Sequence, residues 1–309
     1  MAGEVLQATL TAPQTKSDGH DPVYLRIRDL VYQTCGIYHS EGKLYLLVAA
    51  CKRRMASERV KAGTGREYLE LLTSPGYKET ESRELLNEIT IGETCLFRSP
   101  AQLNALHNVI LPELVAERGK IGLRRLKVWS AGCSTGEEPY TLAMFLLDEK
   151  EKLLKDWEFS IQATDLNDRS VDAARAGIYG DYALRNTPEN YKRKYFSPGE
   201  AGKLKVKDEV KAKITFTRLN LNDDSRMLFM KGMDLIFCCH HQCRGCLHQL
   251  SAQKSGCRLR PSSHPHHSWY RLSNWRQSLF QVAALLECGG SPPLLCHRLL
   301  HEFVVVRRL

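Results

Sequence analysis

The stretch from Leu126 to Tyr140 constrains this chain more than any other. Leu126, Val128, Trp129 and Ala131 read as a buried strand that runs into a turn with glycines at Gly132 and Gly136. An amphipathic helix is predicted directly after it, over 135–148. The same succession then recurs. Phe159, Ile161 and Ala163 alternate toward Asp165, a helix is predicted over 167–177 with Gly177 as its stop, and 214–216 and 233–237 supply two more strands. Strands alternating with helices predict an α/β fold with a parallel, doubly wound sheet, whose ligands bind at the carboxyl ends of the strands.

The turn narrows the ligand. Glycines allow backbone to approach a bound molecule closely, but the spacing here is G-x-x-x-G. That matches neither the dinucleotide fingerprint nor a phosphate loop with its lysine, so a cofactor without a pyrophosphate is expected and a nicotinamide-linked oxidoreductase is disfavoured. Ser134 with Glu137, and Thr135 with Glu138, each have capping-box spacing. One cap needs only one glutamate, which leaves the other for a ligand. Asp165 ends the second strand, 33 residues after Gly132. An acid at that place typically accepts both hydroxyls of an adenosine ribose.

Upstream, the chain reads as helical over 22–90. Tyr24, Ile27, Leu30 and Val31 recur at helical spacing, as do Tyr68, Leu69, Leu72, Leu85, Leu86 and Ile89. Lys52, Arg53, Arg54, Arg59 and Lys61 form a basic cluster, either a solvated face or a docking face for an acidic partner. Ser99 followed by Pro100 predicts a helix start, Ser as N-cap, with Leu103, Leu106, Val109 and Ile110 as its apolar stripe. No run approaches the roughly 20 apolar residues of a membrane span. The polar residues 1–21 suit a flexible arm of a cytoplasmic protein rather than a secretory signal.

The formal charge of +9 would suggest nucleic acid, yet the excess is badly placed. Of 44 basic and 35 acidic residues, nine and two lie beyond position 239, so the first 239 residues carry only +2. A polyanion-binding surface needs a basic stripe on the folded body. The same tail holds seven of the eleven cysteines (from Cys238) and eight of the eleven histidines (from His240). It lacks sustained periodicity. Disulfides do not suit the expected compartment. Cys238, Cys239, Cys243 and Cys246 are suitable zinc ligands, but they crowd together without two separated pairs, so no metal is assigned. Residues 240–309 are read as an aberrant tail, out of frame or from a divergent, damaged gene.

Taken together, the segments resemble one family. Ile89 to Arg98, Trp129 to Tyr140, Ala163 to Asn167, Ala174 to Tyr179, Tyr195 with Phe196, Asn220 with Leu221, and Asp234 to Cys238 follow the order and spacing of CheR-type chemotaxis receptor methyltransferases. The resemblance covers about 22–239. It implies a helical N-terminal domain over 22–98, a linker helix over 99–118, and a Rossmann-like methyltransferase domain over 119–239 with a small antiparallel subdomain within 195–217. It implies S-adenosylmethionine as cofactor and S-adenosylhomocysteine as product. Thr94 and Arg98 would reach the cofactor from the inter-domain segment. Gly132 and Glu138 would meet its methionine portion, Asp165 the ribose, Leu166 the adenine edge, and Asn220 and Leu221 the far wall, with Gly92 a lesser contact.

The reaction implied is methyl transfer to the side-chain carboxylate of glutamates in chemotaxis receptors, by a monomer acting on their cytoplasmic helical region. Arg98, as the catalytic candidate, would hold a carboxylate or the cofactor. The pattern breaks after Cys238. Cys239 and His240 stand where the family has an Arg-Asn pair, and Arg244 where it has a tyrosine associated with catalysis. A catalytically inactive receptor-binding homologue and a non-folding product of a disrupted gene are the alternatives.

Overall fold

The computed structural model describes residues 21–90, 92–230, 232–238 and 306–307. It divides into two compact units, one ending at Ile91 and the other beginning at Gly92. The break falls before the segment that carries Thr94 and Arg98, rather than after Arg98. Among the described residues, no helix is long and apolar enough to cross a membrane.

The first unit is four helices: α1 (Pro22–Cys35), α2 (Leu44–Met55), α3 (Gly65–Thr73) and α4 (Lys78–Ile89). Their starts and stops are written locally. The Asp21 carboxylate accepts from Val23 N–H ahead of Pro22, and Gly36 closes α1 at φ 77°. Thr64 caps α3 by accepting from Glu67 N–H. Ile27, Leu47, Tyr68, Leu72 and Leu85 are buried. So is Arg54, which corrects the reading of the basic cluster as one exposed face. Its guanidinium donates to both oxygens of Glu81 at 2.9 and 2.8 Å, and the Tyr68 hydroxyl donates to the same carboxylate at 2.7 Å. Lys52, Arg53, Arg59 and Lys61 remain on the surface.

The second unit opens with α5 (Pro100–Ala105), which passes through a π-turn at Leu106–Ile110 into α6 (Leu111–Lys120). Pro112 lacks the N–H that would bond to the carbonyl of Asn108, and the wider turn sits just where that bond is lost. Ser99 makes no side-chain cap, contrary to the sequence expectation, and Pro100 alone starts the helix. Then follow β1 (Arg125–Ala131), α7 (Glu137–Glu149), β2 (Glu158–Asp165), α8 (Asp168–Ala176), β3 (Ile178–Tyr179), α9 (Asp181–Leu184), α10 (Glu189–Tyr195), β4 (Phe196–Pro198), β5 (Leu204–Val206), α11 (Asp208–Lys211), β6 (Ile214–Arg218), α12 (Asp224–Met227), β7 (Leu235–Cys238) and β8 (Val306–Arg307).

The main sheet has the order β6-β2-β1-β7-β8. Its first four strands are parallel, and β8 adds antiparallel at the edge of β7. The order reverses between β1 and β7, and this reversal creates the crevice where doubly wound sheets bind ligands. One sheet face packs on the buried helix α7 through Tyr140, Ala143, Met144 and Leu146. On the other, Trp129 and Ile236 meet Leu219, Met227 and Met233. The small antiparallel sheet, β3-β5-β4, starts at Ile178 and is complete by Val206, while β6 belongs to the main sheet. The subdomain therefore begins earlier and ends earlier than 195–217. Positions 239, 240, 243, 244 and 246, where the zinc reading and the departures from the family pattern fall, lie outside the described residues.

Candidate functional site

The site is built at the carboxyl ends of three adjacent strands. β1 and β2 run in register from Arg125 opposite Glu158 to Ala131 opposite Thr164, and Asp165 stands opposite Arg218 on β6. Gly132, Asp165, Leu166, Asn220 and Leu221 therefore lie at one end of the sheet, with Glu138 in the first turn of α7.

The loop after β1 folds back on β2. Gly132 (φ 78°) and Cys133 both donate their N–H to the Thr164 carbonyl, at 2.8 and 2.9 Å. The Thr164 hydroxyl in turn accepts from the Trp129 indole at 2.9 Å. Ser134 adopts φ 48°, a left-handed conformation that an L-residue enters at some cost. In it the Ser134 N–H donates to Asp165 Oδ2 at 2.8 Å, while Asp165 Oδ1 accepts from Asn167 N–H at 2.9 Å. Each oxygen of the buried Asp165 is thus fixed by a backbone donor.

The two glutamates of α7 have separate tasks, and neither is a capping box. The helix starts at Glu137 behind Gly136, with no side-chain cap. Glu137 is buried, accepts from the Thr135 hydroxyl at 2.6 Å, and has its carboxyl pushed above the usual range by burial. Glu138 is half-buried and accepts from the Ser130 hydroxyl at 2.6 Å. Burial first, then the negative charges of Asp165 and Glu138, hold the Cys133 thiol well above its ordinary value. Both carboxylates therefore lie within electrostatic reach of this one loop, and an acidic pair suits a ligand carrying positive charge.

Thr94 is half-buried and Arg98 exposed, on a segment that belongs to this unit. Gly92 lies so close to the loop after β1 that a methyl group on it would stand 2.3 Å from Ser134 Oγ. Farther along, Leu96 N–H donates to the Ala183 carbonyl at 2.9 Å, and Phe97 N–H donates to the Thr141 hydroxyl on α7 at 3.0 Å. Arg98 turns back to donate to the Glu93 carbonyl at 2.9 Å. Leu166 is half-buried and its carbonyl accepts from Arg218 at 3.2 Å. Asn220 accepts from Asn222 N–H at 3.0 Å, and Leu221 packs on the Trp129 cluster.

Sequence reasoning missed the supports: Ser130 under Glu138, Ser134 beside Asp165, and Tyr179, whose hydroxyl donates to the Thr135 carbonyl at 2.7 Å. Only Ser130 carried a signal, as a hydroxyl inside an otherwise apolar strand.

Residues 92–240 match the family described as CheR methyltransferase, SAM binding domain. Among named relatives, chemotaxis protein methyltransferase 2 of Vibrio cholerae is 31% identical over 219 residues, 71% of this chain and 73% of that protein. The chemotaxis protein methyltransferase of Borreliella burgdorferi is 35% identical over 214 residues, 69% and 74% of the two chains. Chemotaxis protein methyltransferase 1 of Pseudomonas aeruginosa is 33% identical over 217 residues, 68% and 75%. The matched region contains every strand end described above, so the acidic, glycine-lined crevice is read with its relatives: the chain belongs to the CheR family of chemotaxis methyltransferases, which are S-adenosylmethionine-dependent enzymes.

Proposed function

We propose that this chain methylates the side-chain carboxylates of glutamates in chemotaxis receptors, and that the residues assembled at the strand ends hold the cofactor. The observation that carries the reading is the pinned Asp165 at the end of β2, with Glu138 anchored by Ser130 on the neighbouring strand. Asp165 takes the ribose hydroxyls and Glu138, with Gly132, the cationic methionine portion. Leu166 borders the adenine, Asn220 and Leu221 form the far wall, and Thr94 and Arg98 reach the cofactor from the segment ahead of α5.

S-adenosylmethionine supplies a methyl group made electrophilic by its positively charged sulfur. A glutamate side chain with an unperturbed pKa of about 4.3 is already ionised near neutral pH, so no general base is required. What the chain must provide is orientation and exclusion of water, which can lower a barrier by on the order of 7–11 kcal/mol when geometry is ideal. Arg98 is suited to it, as a planar cation on the surface whose fork can hold a carboxylate in two directions.

Calorimetric titration with S-adenosylhomocysteine tests the cofactor half. Micromolar binding that disappears in Asp165→Ala, with folding unchanged, is the expected result; equal binding by that variant removes Asp165 from the site. The substrate half is tested by transfer of labelled methyl to receptor fragments and its release by mild base, as an ester requires. Arg98→Ala should abolish transfer, and label that resists base would sink the assignment to glutamate.

A further inference from the structure

The segment bearing Thr94 and Arg98 needs an anchor at its outer end. Downstream it is well tied: Cys95, Leu96 and Phe97 are buried, Leu96 is bonded to Ala183, and the Phe97 ring lies 4.7 Å from that of Tyr191. Phe97 also carries φ 53°, a conformation that persists only where its surroundings enforce it. Upstream, the tie is different. The hydroxyl of the exposed Tyr182 donates to the Glu93 carboxylate at 3.0 Å, and the Arg185 guanidinium lies over the Tyr182 ring at 3.9 Å. Arg185 also donates to the Tyr182 carbonyl at 2.6 Å. Glu93 is the residue whose carbonyl receives Arg98.

We propose that Glu93, Tyr182 and Arg185 form a clamp that positions Arg98 for cofactor and substrate, making Tyr182 and Glu93 positioning residues for methyl transfer. The proposal rests on the assignment of Arg98 to the site. The physical argument is one of local order. An exposed arginine has several rotatable bonds and would sample many of them. Here its carbonyl partner is held because the side chain of that same residue is bonded to a stacked tyrosine on α9. The three side chains of the clamp are exposed, although Ala183 and Leu184 beside Tyr182 pack on the core, so losing the Tyr182 hydroxyl should disturb the placement of the segment and not the stability of the fold.

The experiment compares S-adenosylhomocysteine affinity, methyl-transfer kinetics and thermal melting for the full chain and its variants. Tyr182→Phe keeps the ring and loses only the hydroxyl. It should weaken affinity or kcat/KM on the order of three- to tenfold, the effect of one net hydrogen bond, with an unchanged melting temperature. Glu93→Ala should match it, Glu93→Gln should retain activity because an acceptor oxygen remains, and the Tyr182→Phe, Glu93→Ala pair should be no worse than either alone. Arg98→Ala separates the two levels. If it weakens binding or transfer while Tyr182→Phe and Glu93→Ala do not, the clamp is wrong and the site stands. If Arg98→Ala itself is silent, the site assignment fails and takes the clamp with it. A fall in melting temperature without a change in affinity or kcat/KM would make the contact structural only.

Discussion

Replacing Gly136 by alanine would put a methyl group into space that three atoms already occupy. A Cβ there would stand 2.9 Å from the Cβ and 3.2 Å from the Cα of Ala174, and 3.0 Å from the Tyr179 hydroxyl oxygen. The Ala174 backbone belongs to α8 and cannot swing aside, and the Tyr179 hydroxyl is committed to the Thr135 carbonyl. Gly136 also has φ 95°, beyond the left-handed region that L-residues reach most easily. The conformation alone costs about 1–3 kcal/mol, and overpacking a filled site costs about 1–3 kcal/mol more. Together they predict a loss of about 2–6 kcal/mol, a large share of the roughly 5–15 kcal/mol that holds a domain together. Thermal melting followed by circular dichroism, with chemical denaturation for the free energy, measures this. Adding Ala174→Gly should return part of the loss by removing the nearest contact, leaving the conformational share in place. A Gly136→Ala protein within about 0.5 kcal/mol of the parent, inside the range of ordinary surface changes, would refute the packing argument.

Two more predictions concern charge. Arg54→Ala leaves Glu81 buried without its cation and should cost about 3–5 kcal/mol by denaturant titration, whereas Arg54→Met with Glu81→Leu and Tyr68→Phe, which also removes the buried hydroxyl that donates to Glu81, should recover most of it. For Asp148, burial alone would raise the carboxyl, but hydrogen bonds from Lys194, Tyr195 and Tyr191 outweigh it and hold the group below its ordinary 3.8. A depressed carboxyl stabilises the fold above its unfolded value and loses that contribution as pH falls through the folded one. Melting temperature should therefore drop in acid below about pH 4 in the parent, and Asp148→Asn should start lower at neutral pH and show a shallower acid decline.

The parallel sheet was legible because each strand announces its own end. Apolar alternation stops at Ala131 and at Thr164, and a glycine or an acid follows at once. Asp165 was legible for the same reason, being fixed by strand length rather than by a distant partner. What failed were readings that depended on where a turn closes. Capping boxes at Ser134 and Thr135 presumed a helix beginning at 135, but the left-handed Ser134 and Gly136 delay it to Glu137, which leaves the Thr135 hydroxyl donating to the Glu137 carboxylate and the Ser134 hydroxyl out of any cap. Arg54 was unreadable as a core residue, since its partner lies 27 residues away on another helix. The same holds for Ser130 under Glu138 and for Tyr182 against Glu93: a hydrogen bond between elements has no local signature.

The acidic character of the crevice is set by local hydrogen bonds. Two carboxylates near one loop repel each other, and hydrogen bonds stabilise each of them locally, Asp165 through two backbone donors and Glu138 through the Ser130 hydroxyl. Those donors are rigid parts of β1, the following loop and the start of α8, so the field at the strand ends is set before any ligand arrives. S-adenosylmethionine brings one positive charge on sulfur and another on its amino group, whereas the product keeps only the second. In the site proposed above, a fixed negative field would therefore favour the substrate over the product by the attraction to that one lost charge. The glycine turn and the pinned aspartate are thus two halves of one device. In the proposed site the turn would bring backbone close to the cofactor, and excluding water there would strengthen the attraction that the carboxylates supply.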